Sequence, residues 1–480
     1  MTSIPDFNIV RDQFQQAHQG HVFQFWDELS SGEKEKLLKR ASEIDLSEVE
    51  ELVAKHIKTS ESSTSTFDDL EPAPYIPLPC HGGDETQWKE AEQVGVEAIR
   101  AGRVAAFTVA GGQGTRLGFD GPKGTFPVTP VEKKSLFQVF AEKIRRSSER
   151  FGSKIHWLIL TSEINNEETV AAFEENEFFG LSSSQVHFIV QGLVPAVDAE
   201  GKILLSDTST LAMTPDGHGG SLRALVRSGA TAKLKELGVD CISYFQVDNP
   251  LIPCIDPAFI GFHISGNSEC SSKMIPKAYP LEKVGHFCVR NGETLVIEYS
   301  DLPESLQKET LADGGLRFVA GSVAIHVFDR EFIERVGGGG AGLTLPFHRA
   351  DKKIPYVNSE GNVVQPESPN GVKFEMFVFD ALPLAKNPVI IEGARAETFS
   401  PVKNATGVDS PKSCKEDQLR QFAGWLKAAG EDLVTDESGL PEICFEISPL
   451  FAADRNDFLE QWEKVQPKPE IRDGVVIEGE

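Results

Sequence analysis

Hydrophobic and polar residues follow two different patterns along this chain. Up to about residue 58, stretches such as HVFQFWDELSSGEKEKLLKRASEI place apolar residues at helical spacing, with charges on the remaining face. From about residue 99, short apolar runs such as RVAAFTV, IHWLILT and CISYFQV are separated by amphipathic stretches. Strands that alternate with helices indicate a largely parallel sheet covered by helices. The pattern therefore predicts a helical N-terminal region followed by an α/β domain.

Changes in composition mark the boundaries between these regions. The stretch TSESSTSTFDDLEPAPYIPLP is polar and then proline-rich, which is typical of an extended connector. Beyond about residue 386, NPVIIEGAR and KEDQLRQFAGWLKAAGED indicate a smaller α/β domain. We predict a helical region with connector over residues 1–98, a central domain over 99–385 and a C-terminal domain over 386–480. Asn-Gly within HFCVRNGETLVIEYS predicts a hairpin, and VGGGGAGL (336–343) predicts a mobile loop.

Charge and composition restrict the partners of this chain of 480 residues. Its net charge of -26 opposes any broad surface for nucleic acid or anionic membrane. We find no apolar stretch of about 18 residues and no secretion signal at the N-terminus. The seven cysteines are scattered, without the close spacing of zinc or redox pairs, which favours reduced thiols. We expect a soluble cytoplasmic protein that binds anions only in a small local pocket.

The stretch VAGGQGTRLGFDGPKG (109–124) directly follows the apolar run RVAAFTV and is rich in glycine. Its spacing fits neither the P-loop pattern nor the dinucleotide-binding fingerprint. A glycine-rich turn after a strand nevertheless presents several backbone N–H groups to one anion, and Arg116 and Lys123 would add positive charge. Spacing alone leaves two interpretations open: a phosphate-binding loop, or a glycine-rich turn with two surface cations.

These residues resemble a known family. The stretch is similar to the G-x-G-T-R...P-K signature of nucleotidyltransferases that make nucleotide-sugars, in the GGQGTRLG...PKG form of eukaryotic-type UDP-N-acetylhexosamine pyrophosphorylases of the UDP-sugar pyrophosphorylase family. The resemblance continues through QGHVFQFWDEL, VQGLVPAVDAEGKILL, TPDGHGGSLRAL, QVDNPL, VIEYSDLPE, PNGVKFEMFVFD and FSPVKNATG, from about residue 18 to 452. It implies an α/β fold of the Rossmann-like, GT-A-like nucleotidyltransferase type, with a mixed, mainly parallel sheet flanked by helices.

The resemblance also implies a reaction. Such enzymes join UTP to a sugar 1-phosphate and release pyrophosphate and a UDP-sugar. The implied catalytic residues are cations: Arg116 and Lys123 would bind the β and γ phosphates, and Lys403 the sugar-side phosphates. Asp248, in QVDNPL, would hold Mg²⁺ between the phosphates. The implied nucleotide-binding residues are Gly111, Gly112, Gly114, Thr115, Gln191, Gly192 and Gly217.

The sugar-binding residues implied by the resemblance are His218, Gly219, Gly285, Glu298 and Ser322. Lys273 and Lys277 are further candidates. Taken by itself, each polar residue also has an ordinary structural interpretation: Gln191 or Asp248 in a turn, Glu298 facing solvent on a strand, and Lys403 as a surface charge.

Two positions depart from the family pattern on the sugar side. His218 stands where the loop PDGNGG has asparagine, and Ser322 stands where asparagine follows Ala-Gly. We expect N-acetylglucosamine 1-phosphate to be the substrate, since the resemblance runs closest to that branch. UTP:glucose-1-phosphate or broad-specificity UDP-sugar pyrophosphorylase activity is the alternative, and a nucleotide-sugar-binding sensor is a non-enzymatic one.

Overall fold

The computed structural model describes residues 5–58, 67, 69–338 and 344–479. Its helices are α1 Phe7–Gln16, α2 Ser31–Ser42, α3 Leu46–Val53, α4 Glu85–Arg100, α5 Leu136–Phe151, α6 Asn166–Glu175, α7 Gly220–Arg227, α8 Ala230–Glu236, α9 Pro257–Ser265, α10 Glu304–Gln307, α11 Arg330–Gly337, α12 Arg395–Thr398, α13 Pro411–Ala428 and α14 Arg455–Lys464. Its strands are β1 Glu71–Pro72, β2 Val104–Val109, β3 His156–Thr161, β4 Val186–Val190, β5 Leu193–Pro195, β6 Val197–Asp198, β7 Leu205–Asp207, β8 Thr210–Leu211, β9 Met213–Pro215, β10 Cys241–Gln246, β11 Cys270–Pro276, β12 Gly285–Arg290, β13 Glu293–Ile297, β14 Ala320–Asp329, β15 Phe347–Lys352, β16 Tyr356–Val357, β17 Val363–Val364, β18 Gly371–Met376, β19 Val389–Glu392, β20 Glu446–Ile447 and β21 Val476–Ile477.

The chain divides into two compact units. The small unit comprises Met1–Phe67, Gln191–Ser221 and Leu345–Val378, and the large unit comprises the remaining segments. The predicted domain boundaries near residues 98 and 385 stay a prediction. The predicted mobile loop falls largely on residues 339–343, outside the described part of the chain.

In the small unit, helices α1 to α3 form where the helical spacing predicts them. Helix α2 begins with a capping box, in which the Ser30 hydroxyl and the Glu33 carboxylate each accept the backbone N–H of the other residue. The apolar faces of the three helices bury Phe14, Leu37 and Leu52 in one core with residues of short strands. Burial of amphipathic faces, rather than intrinsic propensity, stabilises helices of this length.

The large unit is built on a mixed sheet, which confirms the predicted α/β fold. Strands β10, β2, β3 and β4 lie side by side in parallel, and β14 pairs antiparallel with β10, β11 and β12. Strand β2 is buried over nearly its whole length, as its continuous apolar run requires in a sheet covered on both faces. The predicted hairpin is also present: β12 and β13 are joined at Asn291 and Gly292, both with positive φ.

The last part of the large unit has an apolar cluster of its own. Helices α13 and α14 pack Trp425, Phe458 and Trp462 against Phe445 and the short strands β20 and β21. In the described residues, no helix is long and apolar enough to cross a membrane.

Helices α4 and α9 pack unusually closely in the large unit because glycines lie at their crossing. A methyl group at Gly95 would lie 1.8 Å from the carbonyl oxygen of Pro257, and one at Gly261 would lie 1.6 Å from that of Ala91. Backbone therefore meets backbone at this crossing, and neither position has room for a side chain. Trp88 on α4 contacts the ring of Phe262 on α9 edge-on, with 4.9 Å between ring centroids.

We expect Gly261→Ala to destabilise the protein by about 2 kcal/mol or more, because overpacking a close-packed core typically costs about 1 to 3 kcal/mol. Urea unfolding followed by circular dichroism and tryptophan fluorescence measures the change. Gly424→Ala is the matched control: Gly424 is exposed within α13, and a methyl group there meets no atom within 4 Å. That substitution should be neutral or stabilise by up to about 1 kcal/mol. Equal stability of the two variants would contradict the close crossing.

Candidate active site

The glycine-rich stretch folds into a compact loop, residues 110–125, at the carboxyl end of β2. The N–H of Gly114 donates to the carbonyl of Gly121 at 3.0 Å, and the N–H of Lys123 donates to that of Gly112 at 3.1 Å. Gly118 and Gly121 have φ values of 70° and 136°, which other residues rarely adopt. The loop therefore doubles back at the end of a parallel strand, where α/β sheets bind their ligands.

The glycines of this loop serve different purposes. A methyl group at Gly112 would meet no atom within 4 Å, and this residue is exposed. A methyl group at Gly114 would lie 2.7 Å from the ring of Phe119, and one at Gly124 would lie 2.1 Å from the ring of Phe137. Packing therefore accounts for Gly114 and Gly124, whereas the backbone at Gly112 is open to the approach of a ligand.

Asn165, which the sequence reasoning did not single out, holds this loop. Its amide nitrogen donates to the carbonyl oxygens of Ala110 and Gly112 at 2.9 and 3.3 Å, and its amide oxygen accepts the N–H of Ser162 at 2.8 Å. The side chain is fully buried. Because Asn165 follows strand β3, it connects the ends of two neighbouring parallel strands. The available signal was an asparagine shortly after an apolar run.

The two cations of the loop have different surroundings. Arg116 lies exposed in the short 3-10 turn Thr115–Leu117 and forms no salt bridge within the described residues. Lys123 lies with its Nζ atom 3.3 Å from Oδ2 of Asp248, and the two side chains are only 16% and 17% exposed. The structure therefore brings together a predicted phosphate-binding lysine and the predicted metal-binding carboxylate. The two residues are 125 positions apart in the chain.

Lys403 lies in a segment attached to the same carboxylate residue. The N–H of Val402 donates to the carbonyl oxygen of Asp248 at 2.8 Å, and Nζ of Lys403 lies 5.4 Å from the ring centroid of Phe399. The N–H of Lys403 donates to the carbonyl of Asp409. Burial raises the pKa of the Asp409 carboxyl, and the charge of Lys403 partly offsets this rise. The predicted cation Lys403 is thus fixed beside Asp248 rather than on an isolated surface loop.

One carboxylate is sufficient for the metal expected at this place. Within the described residues, no cluster of three or more histidine, cysteine, aspartate or glutamate side chains could hold a metal ion. Mg²⁺ usually keeps several waters and binds through one or two carboxylates together with substrate phosphates. Asp248 therefore fits a magnesium ion that arrives with a polyphosphate, and does not fit a metal caged by the protein alone.

Three of the predicted sugar-binding residues converge in the large unit. Gly285 on β12 lies opposite Ser322 on β14. A methyl group at Gly285 would lie 3.5 Å from Cβ of Ser322 and 3.4 Å from Oε1 of Glu298. The same methyl group would lie only 2.6 Å from Cγ1 of Val296, so close packing accounts for this glycine. The carboxylate of Glu298 and the hydroxyl of Ser322 are groups suited to bind hydroxyl groups.

The two additional lysine candidates are both buried and paired. Lys273 forms a salt bridge with Asp256 and lies over the ring of Phe259. Lys277 donates to Nε2 of His286 at 2.9 Å, next to Gly285, and burial lowers the pKa of both side chains, that of His286 to about 4. Lys277 therefore supports the strand that carries Gly285, and Lys273 neutralises Asp256.

In the small unit, Gln191 and Gly192 are organised by Asp216, another residue that the sequence reasoning missed. The Gln191 amide nitrogen donates to Oδ1 of Asp216 at 3.1 Å and to the carbonyl of Gly217 at 2.7 Å. Because both partners are acceptors, the amide orientation is fixed and its oxygen is the end suited to accept a bond from a ligand. A methyl group at Gly192 would lie 2.7 Å from Oδ2 of Asp216.

His218 is held as a neutral hydrogen-bond donor. Its Nδ1 atom accepts the N–H of Val378 at 3.1 Å, and its ring stacks on Phe377 with centroids 5.4 Å apart. Burial, with a smaller effect from His348, lowers the pKa of His218 to about 4. The imidazole is therefore neutral near pH 7 with its proton on Nε2. It is suited to donate to a ligand oxygen and unsuited to act as a base through Nδ1.

The loop around His218 packs tightly on strand β18. Gly217 has a φ of 84°, and a methyl group there would lie 2.4 Å from the carbonyl oxygen of Met376. The N–H of Gly219 donates to that same carbonyl at 2.8 Å. Both glycines are therefore required by backbone conformation and close packing, and this packing fixes the direction of the His218 ring.

Comparison with known proteins is consistent over nearly the whole chain. The profile of the family described as UTP–glucose-1-phosphate uridylyltransferase matches residues 47–410. A UDP-N-acetylhexosamine pyrophosphorylase-like protein 1 of Xenopus tropicalis is 38% identical over 448 residues, 90% of this chain and 86% of that protein. A probable UDP-N-acetylglucosamine pyrophosphorylase of Dictyostelium discoideum is 34% identical over 93% of both. The crystal structure of uridine diphosphate N-acetylglucosamine pyrophosphorylase from Trypanosoma brucei, in complex with an inhibitor, matches with a TM-score of 0.84 and 28% identity, covering 100% of this chain and 99% of that one. These matches confirm the predicted resemblance, and the chain belongs to the UTP–glucose-1-phosphate uridylyltransferase family.

Proposed function

We propose that this protein is a uridylyltransferase that joins UTP and N-acetylglucosamine 1-phosphate to give UDP-N-acetylglucosamine and pyrophosphate. The observation that carries this proposal is the pairing of Lys123 with Asp248 beside the open glycine loop, at the carboxyl ends of parallel strands, in a chain of this family. Relatives at 31% to 38% identity named for N-acetylhexosamine or N-acetylglucosamine support the choice of sugar.

The reaction needs charge stabilisation more than a catalytic base. A phosphate monoester has its second pKa at about 6, so the sugar phosphate is already mostly a dianion at neutral pH. One of its oxygens attacks the α-phosphorus of UTP, a new P–O bond forms, and the bond to the β-phosphate breaks in line as pyrophosphate leaves. Arg116 and Lys123 hold the charge on the departing pyrophosphate, and Lys403 holds the attacking phosphate near the α-phosphate.

Magnesium is the cofactor that fits this arrangement. Asp248 would hold Mg²⁺ together with phosphate oxygens, and the ion would supply positive charge to the polyphosphate. The protein's own part is to hold the Asp248 carboxylate in place, 3.3 Å from the Lys123 ammonium.

Backbone groups and one amide are proposed to bind the nucleotide. N–H groups of Gly111, Gly112 and Thr115 would face the phosphates, since anions bind readily to successive backbone amides. Gly114, whose own N–H donates to the carbonyl of Gly121, would instead keep the loop in the shape that presents them. The Gln191 amide oxygen would accept the N3–H of uracil, with Gly192 and Gly217 giving the base close access to the backbone. The fixed orientation of the Gln191 amide supports this role.

On the sugar side, Glu298 and Ser322 would accept and donate bonds to sugar hydroxyls, with Gly285 between them as a third proposed sugar-binding residue. In the small unit, Gly219 and His218 are also proposed to bind the sugar, with His218 donating from Nε2. A neutral N–H donor suits an acetamido carbonyl and a hydroxyl oxygen alike. His218 and Ser322, which replace two family asparagines, therefore favour a second candidate, a glucose 1-phosphate or broad-specificity uridylyltransferase.

All seven cysteines are free thiols, which supports our proposal of a cytoplasmic location.

The first prediction concerns the sugar. With UTP and a panel of sugar 1-phosphates, measured by coupled pyrophosphate release, kcat/KM should be highest for N-acetylglucosamine 1-phosphate. Ser322→Asn should increase the preference for N-acetylated over plain sugars by about tenfold, since an added amide can pair with the acetamido group. A kcat/KM for glucose 1-phosphate at least about tenfold above those of the N-acetylated sugars would instead support the second candidate.

The second prediction separates an enzyme from a nucleotide-sugar sensor. Arg116→Ala and Lys123→Ala should each lower kcat by about 10² to 10³, because each removes charge stabilisation of the departing pyrophosphate. The Kd for UDP-N-acetylglucosamine, measured by calorimetry, should change much less, since that ligand lacks the β and γ phosphates of UTP that these two residues would bind. Lys89→Ala is the control, as Lys89 is an exposed residue of α4 paired with Glu85, and should leave kcat unchanged. Equal loss of turnover and binding would contradict the assigned roles.

The third prediction concerns the metal. Activity should disappear in excess EDTA and return with added Mg²⁺. Asp248→Asn should raise the Mg²⁺ concentration needed for half-maximal rate by about tenfold or more, since ligand loss weakens a hard cation site. Asp240→Asn is the control. Asp240 directly precedes the N-terminal end of strand β10, opposite to the end that Asp248 follows, and forms a salt bridge with Arg103. Full activity in excess EDTA would refute a magnesium requirement.

A further inference from the structure

The residue after Asp248, Asn249, makes a two-point contact with the segment that precedes Lys403. The amide nitrogen of Asn249 donates to the carbonyl of Thr398 at 2.7 Å, and its amide oxygen accepts the N–H of Ser400 at 3.0 Å. The side chain is only 4% exposed. Together with the bond from Val402 to the Asp248 carbonyl, three hydrogen bonds join the Asp248 turn to the segment that carries Lys403.

The Asp248 turn is fixed to the sheet and to helix α5. The N–H of Val247 donates to the carbonyl of Val109, at the start of the glycine loop. Nζ of Lys143, on α5, donates to the carbonyl oxygens of Pro250 and Ile252 at 2.7 and 2.9 Å. Lys143 is buried, and burial lowers the pKa of its ammonium group. A buried lysine that donates hydrogen bonds to two carbonyls of one turn supports that turn rigidly.

The Lys403 segment is fixed to a different element. The hydroxyl of Ser400 donates to the Asp417 carboxylate at 2.6 Å, and the thiol of Cys414 donates to the carbonyl of Ser400 at 3.2 Å. Both partners belong to helix α13. The Asp248 turn is therefore attached to the sheet and to α5, and the Lys403 segment is attached to α13. The Asn249 side chain joins the turn to the segment.

We infer that Asn249 is a positioning residue for uridylyl transfer: its amide fixes the Lys403 segment relative to Asp248, so that the two groups act as one unit. The inference rests on the proposed function. The geometry requires this amide in particular, because it must donate at one end and accept at the other. A carboxylate of the same shape would place an oxygen against the Thr398 carbonyl, leaving that buried acceptor unpaired. Displacements of about 1 Å cost about 10²-fold in rate at such sites.

A double-mutant cycle on kcat/KM for the sugar 1-phosphate tests this inference. Asn249→Asp should lower kcat/KM by about 10- to 100-fold, with a much smaller change in KM for UTP, because the Asp248 turn keeps its own supports. If Asn249 acts through Lys403, then Asn249→Asp should cost less than about threefold when Lys403→Gln is already present. A merely structural residue would lower both backgrounds by the same factor. An unchanged kcat/KM in the single variant, or multiplicative losses, would overturn the inference.

Asn370 supplies a matched control. Its amide makes the same two-point contact, accepting the N–H of Ile354 at 2.8 Å and donating to the carbonyl of Ile354 at 2.9 Å. Asn370→Asp should change kcat/KM by the same factor in the wild-type background and in the Lys403→Gln background. If Asn249→Asp does not fold, Asn249→Ser replaces it in the cycle, with thermal melting as the check. A wild-type protein without uridylyl transfer would refute the proposed function, whereas an active protein with multiplicative losses would refute only the role of Asn249.

Discussion

The close pair of Lys123 and Asp248 is the interaction on which the proposed site depends. Two opposite charges 3.3 Å apart, both largely shielded from water, attract more strongly than an exposed pair would. The pair exists because parallel strands β2 and β10 are neighbours, so that the segments following them meet at one edge of the sheet. Each member is of limited use alone: the lysine supplies a single charge, and the carboxylate a single metal ligand. Beside an open backbone at Gly112, they form the place where we propose that a polyphosphate and its counter-ion bind together.

Buried amides and one buried lysine hold this arrangement in place. Asn165 fixes the glycine loop, Lys143 fixes the Asp248 turn, and Asn249 connects that turn with the Lys403 segment. Each of these side chains forms hydrogen bonds with backbone groups, so its polar atoms do not incur the free-energy cost of being buried unpaired. Groups fixed in this way do not reorganise when charge develops on a leaving pyrophosphate, and such preorganisation is a major source of electrostatic catalysis. In the proposed reaction the charged residues at the site would therefore perform the chemistry, while the buried contacts behind them set its geometry.

The sequence was informative wherever a structural element depends on the types of residue in a local pattern. The apolar runs predicted strands such as β2 and β10, Asn-Gly predicted the hairpin at residues 291–292, and the glycine-rich stretch predicted a loop at the end of β2. Contacts formed across long sequence separations were not predictable. Asn165 and Asn249 have no distinctive spacing, because their partners are carbonyls and N–H groups chosen by the tertiary fold. The motif around Lys273 made this residue a candidate near the substrate. Its salt bridge with Asp256 forms because the fold brings β11 next to the start of α9, which the sequence does not indicate.

The choice of sugar depends on a different kind of contact from the choice of reaction. Phosphate binding relies on net charge, which several cations supply jointly, so that replacing one polar neutral group on the sugar side leaves it intact. Sugar recognition relies on the direction of single donors and acceptors, and His218 shows how narrowly that direction is set. Its Nδ1 atom accepts the N–H of Val378, and its ring stacks on Phe377. An asparagine at this position would offer both a donor and an acceptor. In the proposed sugar-binding role, histidine would therefore keep the donor that an acetamido carbonyl needs and lack the acceptor, which would change how this loop discriminates among sugars while the proposed reaction stays the same.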